Sequence, residues 1–234
     1  MSRITGRRVR LAAAAVAALS IALVGCSAQP ASTDADGGSL VYLDAEIPTS
    51  AQVQESGTWQ TRALQQNITD RLLYRNPDTN QLEPWIAESW TVSPDGLTYT
   101  FVIRDGVTYS DGTDLDASSV AKNLEWQSAG DEAVGTTPNA QFPSGLAATA
   151  DDASRTVTVT LPEPYAPFLN VLTGWGSGLV ADATIDASKE DQSKFVNLIG
   201  SGPFVVTSET YGKEIVLERR DGYAWAPESS PNQG

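Results

Sequence analysis

The sequence predicts a mixed α/β domain, and three observations carry that expectation. Between Leu97 and Arg104, apolar Leu97, Tyr99, Phe101 and Ile103 alternate with Thr98, Thr100, Val102 and Arg104, the period of a strand with one face in a core. Between Trp59 and Leu73, Trp59, Ala63, Leu64, Ile68 and Leu72 recur at helical spacing, and Asp116 stands as an N-cap before Ala117, Val120, Ala121 and Leu124. The composition, 41% hydrophobic with 19 Gly and 13 Pro, fits a turn-punctuated globular core rather than a disordered chain.

In chain order, residues 1–25 read as a signal peptide. Arg3, Arg7, Arg8 and Arg10 make a positive start, and Leu11 to Val24 make an apolar stretch short for a bilayer span. Arg7-Arg8 hints at twin-arginine export, but Arg10 interrupts the apolar run and favours the general route. Leu23-Val24-Gly25-Cys26 has the form of a lipobox, so Cys26 is the expected lipid attachment residue, leaving the mature chain anchored on the outer face of the cell membrane. Cys26 is the one cysteine, so no disulfide can form within the chain.

Removing residues 1–25 leaves 11 basic against 29 acidic residues, a charge of −18, which repels phosphate backbones and argues against nucleic-acid binding. Residues 26–38 are small and polar, a flexible tether. Ser39 to Asp44 reads as a buried first strand, followed by a polar loop from Glu46 to Gly57 and the helix from Trp59, whose indole is expected in the helix core. Leu73-Tyr74 and Leu82 flank a hairpin turn at Asn76-Pro77-Asp78-Thr79. Ser93-Pro94-Asp95-Gly96 turns into the alternating strand, Asp105-Gly106 should fold Val107 to Tyr109 back beside it, and Ser110-Asp111-Gly112-Thr113 turns again before the capped helix.

Ser128 to Ala148 lacks periodicity and reads as a long surface connection. Thr156 to Leu161 alternates as a half-buried strand that pairs with the earlier sheet, and Pro167-Phe168 begins a short helix docked on the core. Gly174-Trp175-Gly176-Ser177-Gly178 is either a tight crossover packed by Trp175 or a place where backbone and indole approach a ligand. Asn197 to Phe204 suits a sharp reversal before a strand, and Lys213 to Tyr223 holds a further strand.

Several chemistries are excluded or unsupported. The chain has no His, so His-based triads and His metal sites are absent by composition. Reading Asp111 as the first position of a calcium loop puts Lys122 where a bidentate Glu belongs, and the spacing of Gly174, Gly176 and Gly178 misses the dinucleotide fingerprint. Asn67-Ile68-Thr69 matches a glycosylation sequon but sits inside a helix pattern. The 29 acids leave a secreted carboxylate-pair glycosidase open as an alternative, yet no pair is singled out.

One stretch has a distinctive order: Trp90, the turn Asp95-Gly96, Tyr99 to Arg104, Val107 to Tyr109, Ser110 to Thr113, then Ala117 to Val120. It resembles the signature of the family 5 extracellular solute-binding proteins, the dipeptide, oligopeptide and nickel receptors of bacterial ABC importers. Upstream, Pro84 to Trp90 is similar to the same family, as are Pro162 to Leu169, Asn197 to Phe204 and Val216 to Trp225 downstream. Departures occur at Asp114, Ser118-Ser119, Arg220 and Gly222, where the family usually has Pro, an acidic pair, Asn and Pro.

The resemblance implies a periplasmic-binding-protein type II-like fold, with this chain holding the first lobe and the second lobe missing. Residues 39–58 plus 174–234 would belong to lobe I and 59–173 to an inserted α+β subdomain. It implies a non-enzymatic monomer without cofactor or metal that captures short peptides and delivers them to ABC permease subunits. A metal chelate or an oligosaccharide is the alternative ligand within the family, and a lipoprotein with only a structural role is a further reading. It also places the loop after the first strand and the Trp175 crossover along the ligand cleft, making Glu46, Ile47, Thr49, Trp175, Gly176 and Ser177 the candidate binding residues.

Overall fold

The computed structural model describes residues 38–55 and 57–231, so Cys26 and the signal segment lie outside the described residues. The chain divides into two units between Leu43 and Asp44. In the first, Leu40, Val41, Tyr42 and Leu43 are exposed and form no strand, which corrects the expected buried strand at Ser39 to Asp44. A strand is stable where a neighbouring ladder takes up its amides, and no described strand pairs with these residues.

The second unit is built around a four-stranded antiparallel sheet of order β3-β4-β6-β5, with β3 at Ala87–Val92, β4 at Thr98–Ile103, β5 at Ala147–Asp151 and β6 at Thr156–Thr160. Register pairs Phe101 with Trp90 on one side and Val157 on the other, and Tyr99 with Val159. Period-two alternation therefore sends Tyr99, Phe101, Ile103, Val157 and Val159 to one buried face, as the sequence implies. That face is covered by the helix Ala117–Ala129, here called α2, through Val120, Ala121 and Leu124, and by Phe168, which meets Tyr99 edge to face at 4.8 Å. Asp116 caps α2 as expected, its carboxylate accepting from the Ser119 amide at 2.8 Å.

Two expectations about this sheet need correcting. Gly106 does adopt the positive φ of a turn, 73°, yet Val107 to Tyr109 does not return beside β4. Both edges of β4 are occupied by β3 and β6, so the segment pairs forward instead, Thr108 with Asp114, while Tyr109 donates its amide to Thr113 at 2.8 Å. The expected connection from Ser128 to Ala148 also ends in strand β5, an exposed edge lacking apolar alternation and held by its ladder to β6.

Helix α1, Trp59–Ile68, leads into the hairpin β1–β2, Leu73–Arg75 with Leu82–Pro84. After β6 come short helices α3 at Phe168–Val171, α4 at Asp182–Ile185 and α5 at Lys189–Gln192, then the hairpin β7–β8, Phe204–Thr210 with Glu214–Arg219. Apolar side chains gather in two clusters. The larger surrounds the four-stranded sheet, and the smaller joins Ala51, Val53, Ile68 and Trp126 to Val180, Ile185, Phe195, Leu198 and Val206.

Candidate functional site

Two of the sequence-predicted residues, Thr49 and Trp175, lie against the N-terminal part of α1. Thr58 caps this helix, its side chain accepting from the Thr61 amide at 3.3 Å. The Thr61 hydroxyl oxygen in turn accepts the Thr49 amide at 3.2 Å. Buried Gln65 anchors the preceding loop from the same helix, donating to the carbonyls of Ala51 and Gln52 at 3.1 and 3.0 Å. The loop runs on into a 3-10 turn at Val53–Glu55, which packs against a second 3-10 turn at Trp175–Ser177.

Amide side chains hold that second turn. Asn139 donates to the Gly176 carbonyl at 2.9 Å, and Ser177 donates its hydroxyl to the Gly174 carbonyl at 2.7 Å. Asn123 accepts from the Val180 amide at 2.9 Å and donates to the Val180 carbonyl at 2.8 Å, the exchange a neighbouring strand would make. Gly176 and Ser177 are consequently buried with their polar groups engaged, whereas the Trp175 side chain projects outward, 38% exposed.

The six expected residues thus separate. Thr49 and Trp175 each touch α1, at neighbouring residues: Thr61 receives the Thr49 amide and Arg62 lies over the Trp175 ring at 5.2 Å. Gly176 and Ser177 shape the turn beneath that ring. Ile47 turns toward Gly212 in the β7–β8 connection, and Glu46 is exposed with its amide directed to the Asp44 carboxylate.

Trp59 is the residue that sequence reasoning misplaced. It is 57% exposed rather than in the helix core, and stands edge to face with Trp175 at 5.5 Å and 79°. The available signal was position: a residue immediately after an N-cap sits in the first turn, where Gly57, Thr58, Gln60 and Arg62 mark a polar environment. The core face of α1 is instead Thr61, Gln65 and Ile68.

Ala140, Gln141, Tyr165, Pro167, Asn170, Val171 and Gly174, the last next to Trp175 in sequence, line a groove of about 400 Å³. A separate polar cluster sits where α1 gives way to β1. Asp70, fully buried, accepts from the Trp225 indole at 2.8 Å and the Tyr223 hydroxyl at 3.1 Å. Burial pushes its carboxyl up to about 6, against the opposing pull of those donors and of Arg71. Arg220 completes the closure, its guanidinium donating to the carbonyls of Thr108, Tyr109 and Ser201 and to the Thr108 hydroxyl.

Among the described residues, no group of three or more His, Cys, Asp or Glu side chains could hold a metal ion, and no helix is long and apolar enough to cross a membrane.

Residues 81–233 match the family model for bacterial extracellular solute-binding proteins, family 5 Middle. The probable D,D-dipeptide-binding periplasmic protein DdpA of Escherichia coli K12 is 32% identical over 157 residues, 66% of this chain and 29% of that protein. The glutathione-binding protein GsiB of Escherichia coli O1:K1 is 31% identical over 147 residues, 63% of this chain and 28% of its own length. The chain therefore spans less than a third of the length of these curated relatives.

Among solved structures, a substrate binding protein from Microbacterium hydrocarbonoxydans complexed with 4-hydroxybenzoate hydrazide superposes with a TM-score of 0.64 at 29% identity, over 78% of this chain and 37% of the other. The periplasmic binding protein DppA from Helicobacter pylori, in complex with the peptide STSA, does so with a TM-score of 0.62 at 25% identity, over 77% and 38%.

Proposed function

The chain belongs to the family 5 bacterial extracellular solute-binding proteins and has the fold of the periplasmic binding proteins it superposes on; from that premise we propose that it captures short peptides outside the cytoplasm for delivery to an ABC permease. The observation that carries the reading is that Thr49 and Trp175 lie against neighbouring residues of α1, and that the loop following Thr49 packs on the Trp175 turn, whose indole is left exposed. Support for peptides comes from the dipeptide- and glutathione-binding names of the curated relatives and from the peptide complex of the Helicobacter structure.

The mechanism proposed is capture between two walls without covalent chemistry. Thr49 and Trp175 belong to one wall, and binding draws an opposite wall over the solute, so the closed population grows by the difference in affinity between the closed and open forms. Residues 39–58 and 174–234 are assigned to the lobe and 59–173 to its inserted subdomain; Ala51 and Val53 pack with Val180 and Val206, and Ile68 and Trp126 of the subdomain join them in the same cluster. Cys26 is proposed as the lipid anchor, tested by whether Cys26→Ser releases the chain from membranes.

Peptide titration tests the reading. With one wall supplying contacts, this chain should bind di- and tripeptides saturably but no more tightly than about millimolar, roughly 4 kcal/mol. Submicromolar binding by residues 1–234 would refute the two-wall mechanism.

A further inference from the structure

Of the six tryptophans in the chain, Trp85, Trp126 and Trp225 are buried and Trp90 is half-buried against the sheet core. Trp59 and Trp175 are the exposed pair, and they touch each other although 116 positions separate them in sequence. An exposed indole forgoes the burial that makes the residue favourable in a fold, so two of them gathered at one spot call for an occupant.

We propose that Trp59, Trp175 and Arg62 form a subsite for an aromatic ring carried by the captured solute. The inference rests on the solute-binding reading and adds a ligand class to it. Its geometric basis is the corner the indoles make: centroids 5.5 Å apart and planes at 79°. A third ring entering such a corner can stack on one indole while presenting its edge to the other, and it matches the quadrupole of both. An aliphatic side chain gains the apolar contact without the directional part.

The corner is also held in advance of binding. Trp59 is fixed at the start of α1 by the Thr58 cap, and Trp175 by the bonds from Asn139 and Ser177 to the backbone on either side of it. Arg62, above the Trp175 ring, adds a cation–π contact that restrains the indole. Little ordering then remains to be lost when a ligand ring arrives.

The size of the apolar area favours a small occupant over a protein surface. Thr58 and Gln60 flank Trp59 in sequence and Gly174 and Gly176 flank Trp175, so neither indole continues along the chain into further apolar side chains of the kind a broad protein-binding patch needs. Gly174, the residue before Trp175, also lines the groove, which with Gln141 and Asn170 as polar lining could take the rest of such a solute.

The test is a nuclear magnetic resonance titration of the 234-residue chain with Ala-Phe-Ala and with Ala-Leu-Ala, reading the indole N–H signals of Trp59 and Trp175 assigned through Trp59→Leu and Trp175→Leu. Ala-Phe-Ala should move both signals saturably, with a Kd roughly 2- to 10-fold lower than that of Ala-Leu-Ala. Either single variant should reduce this preference to near unity while leaving the spectrum of the β3–β6 sheet unchanged. Equal affinities, or shifts around Thr49 with both indole signals unmoved, overturn the aromatic subsite and leave the solute-binding reading standing. No shift at any residue up to about 20 mM peptide overturns both. Indole shifts that follow protein concentration instead assign the corner to a second copy of the chain, and the proposal fails.

Discussion

Asp70→Asn should make the protein more stable at neutral pH and change it little in acid. The carboxyl is buried without exposure, and burial raises it from 3.8 to about 6 despite donors from Trp225 and Tyr223 and the nearby charge of Arg71. Because the folded value lies above the unfolded one, the folded state holds the proton more tightly. The corresponding stability is complete below about pH 3.8 and is lost as pH rises through about 6.

A gap of about two pH units corresponds to about 3 kcal/mol. Asparagine stays neutral throughout, can accept from the Trp225 indole and can donate to the Tyr223 oxygen, so it mimics the protonated acid. Urea unfolding of both proteins from pH 4 to pH 7.5 should therefore give a difference near zero at the acid end, growing to about 3 kcal/mol in favour of the variant at the upper end. Taking the difference removes the exposed carboxylates Asp95, Asp151 and Asp191, which hydrogen bonds from Ser93, Ser154 and Ser188 hold low and whose contributions fall with acid instead. A difference that does not change with pH, or an asparagine variant less stable at pH 7.5, would show that the two donors outweigh desolvation and refute the reasoning.

Two further perturbations test the packing that positions the site. A methyl added at Gly202 would lie 2.6 Å from the Ile68 carbonyl carbon, a backbone contact that cannot swing aside, so Gly202→Ala should cost about 2–3 kcal/mol in urea unfolding; a loss under about 0.5 kcal/mol would mean the α1 terminus yields easily. Arg220→Lys keeps the charge but loses the forked geometry that serves four acceptors, and should cost about 2 kcal/mol, with the Trp225 indole signal broadening as its cation–π partner leaves; an unchanged midpoint would mean solvent replaces the fork.

Much of the fold was readable because its signals are local. Period-two alternation at Tyr99, Phe101 and Ile103 and the Asp116 cap each depend on residues adjacent in sequence, and both hold in the structure. What was not readable depends on long-range competition. Val107 to Tyr109 has strand composition and a turn before it, but the edge it needed is occupied by β6, more than forty residues away. Strand β5 has no alternation to announce it, and exists because Thr156 to Thr160 offers a free ladder. Ser39 to Asp44 looks buried by composition, yet burial requires an acceptor surface that composition does not specify.

The site divides along the same line. Three glycines around Trp175 pointed to an unusual crossover, and in the structure Gly176 and Ser177 are packed and bonded while the Trp175 ring is exposed. The buried amides of Asn123 and Asn139 make this possible, since they satisfy the backbone of Gly176 and Val180 without a neighbouring strand. A crossover stabilised from beneath does not need its aromatic side chain for packing. Trp59, which sequence spacing assigned to the helix core, is released in the same way because Thr61, Gln65 and Ile68 already fill the inner face of α1. The two indoles are therefore exposed by the sufficiency of the packing below them, and that spare aromatic surface is what the proposed subsite would use.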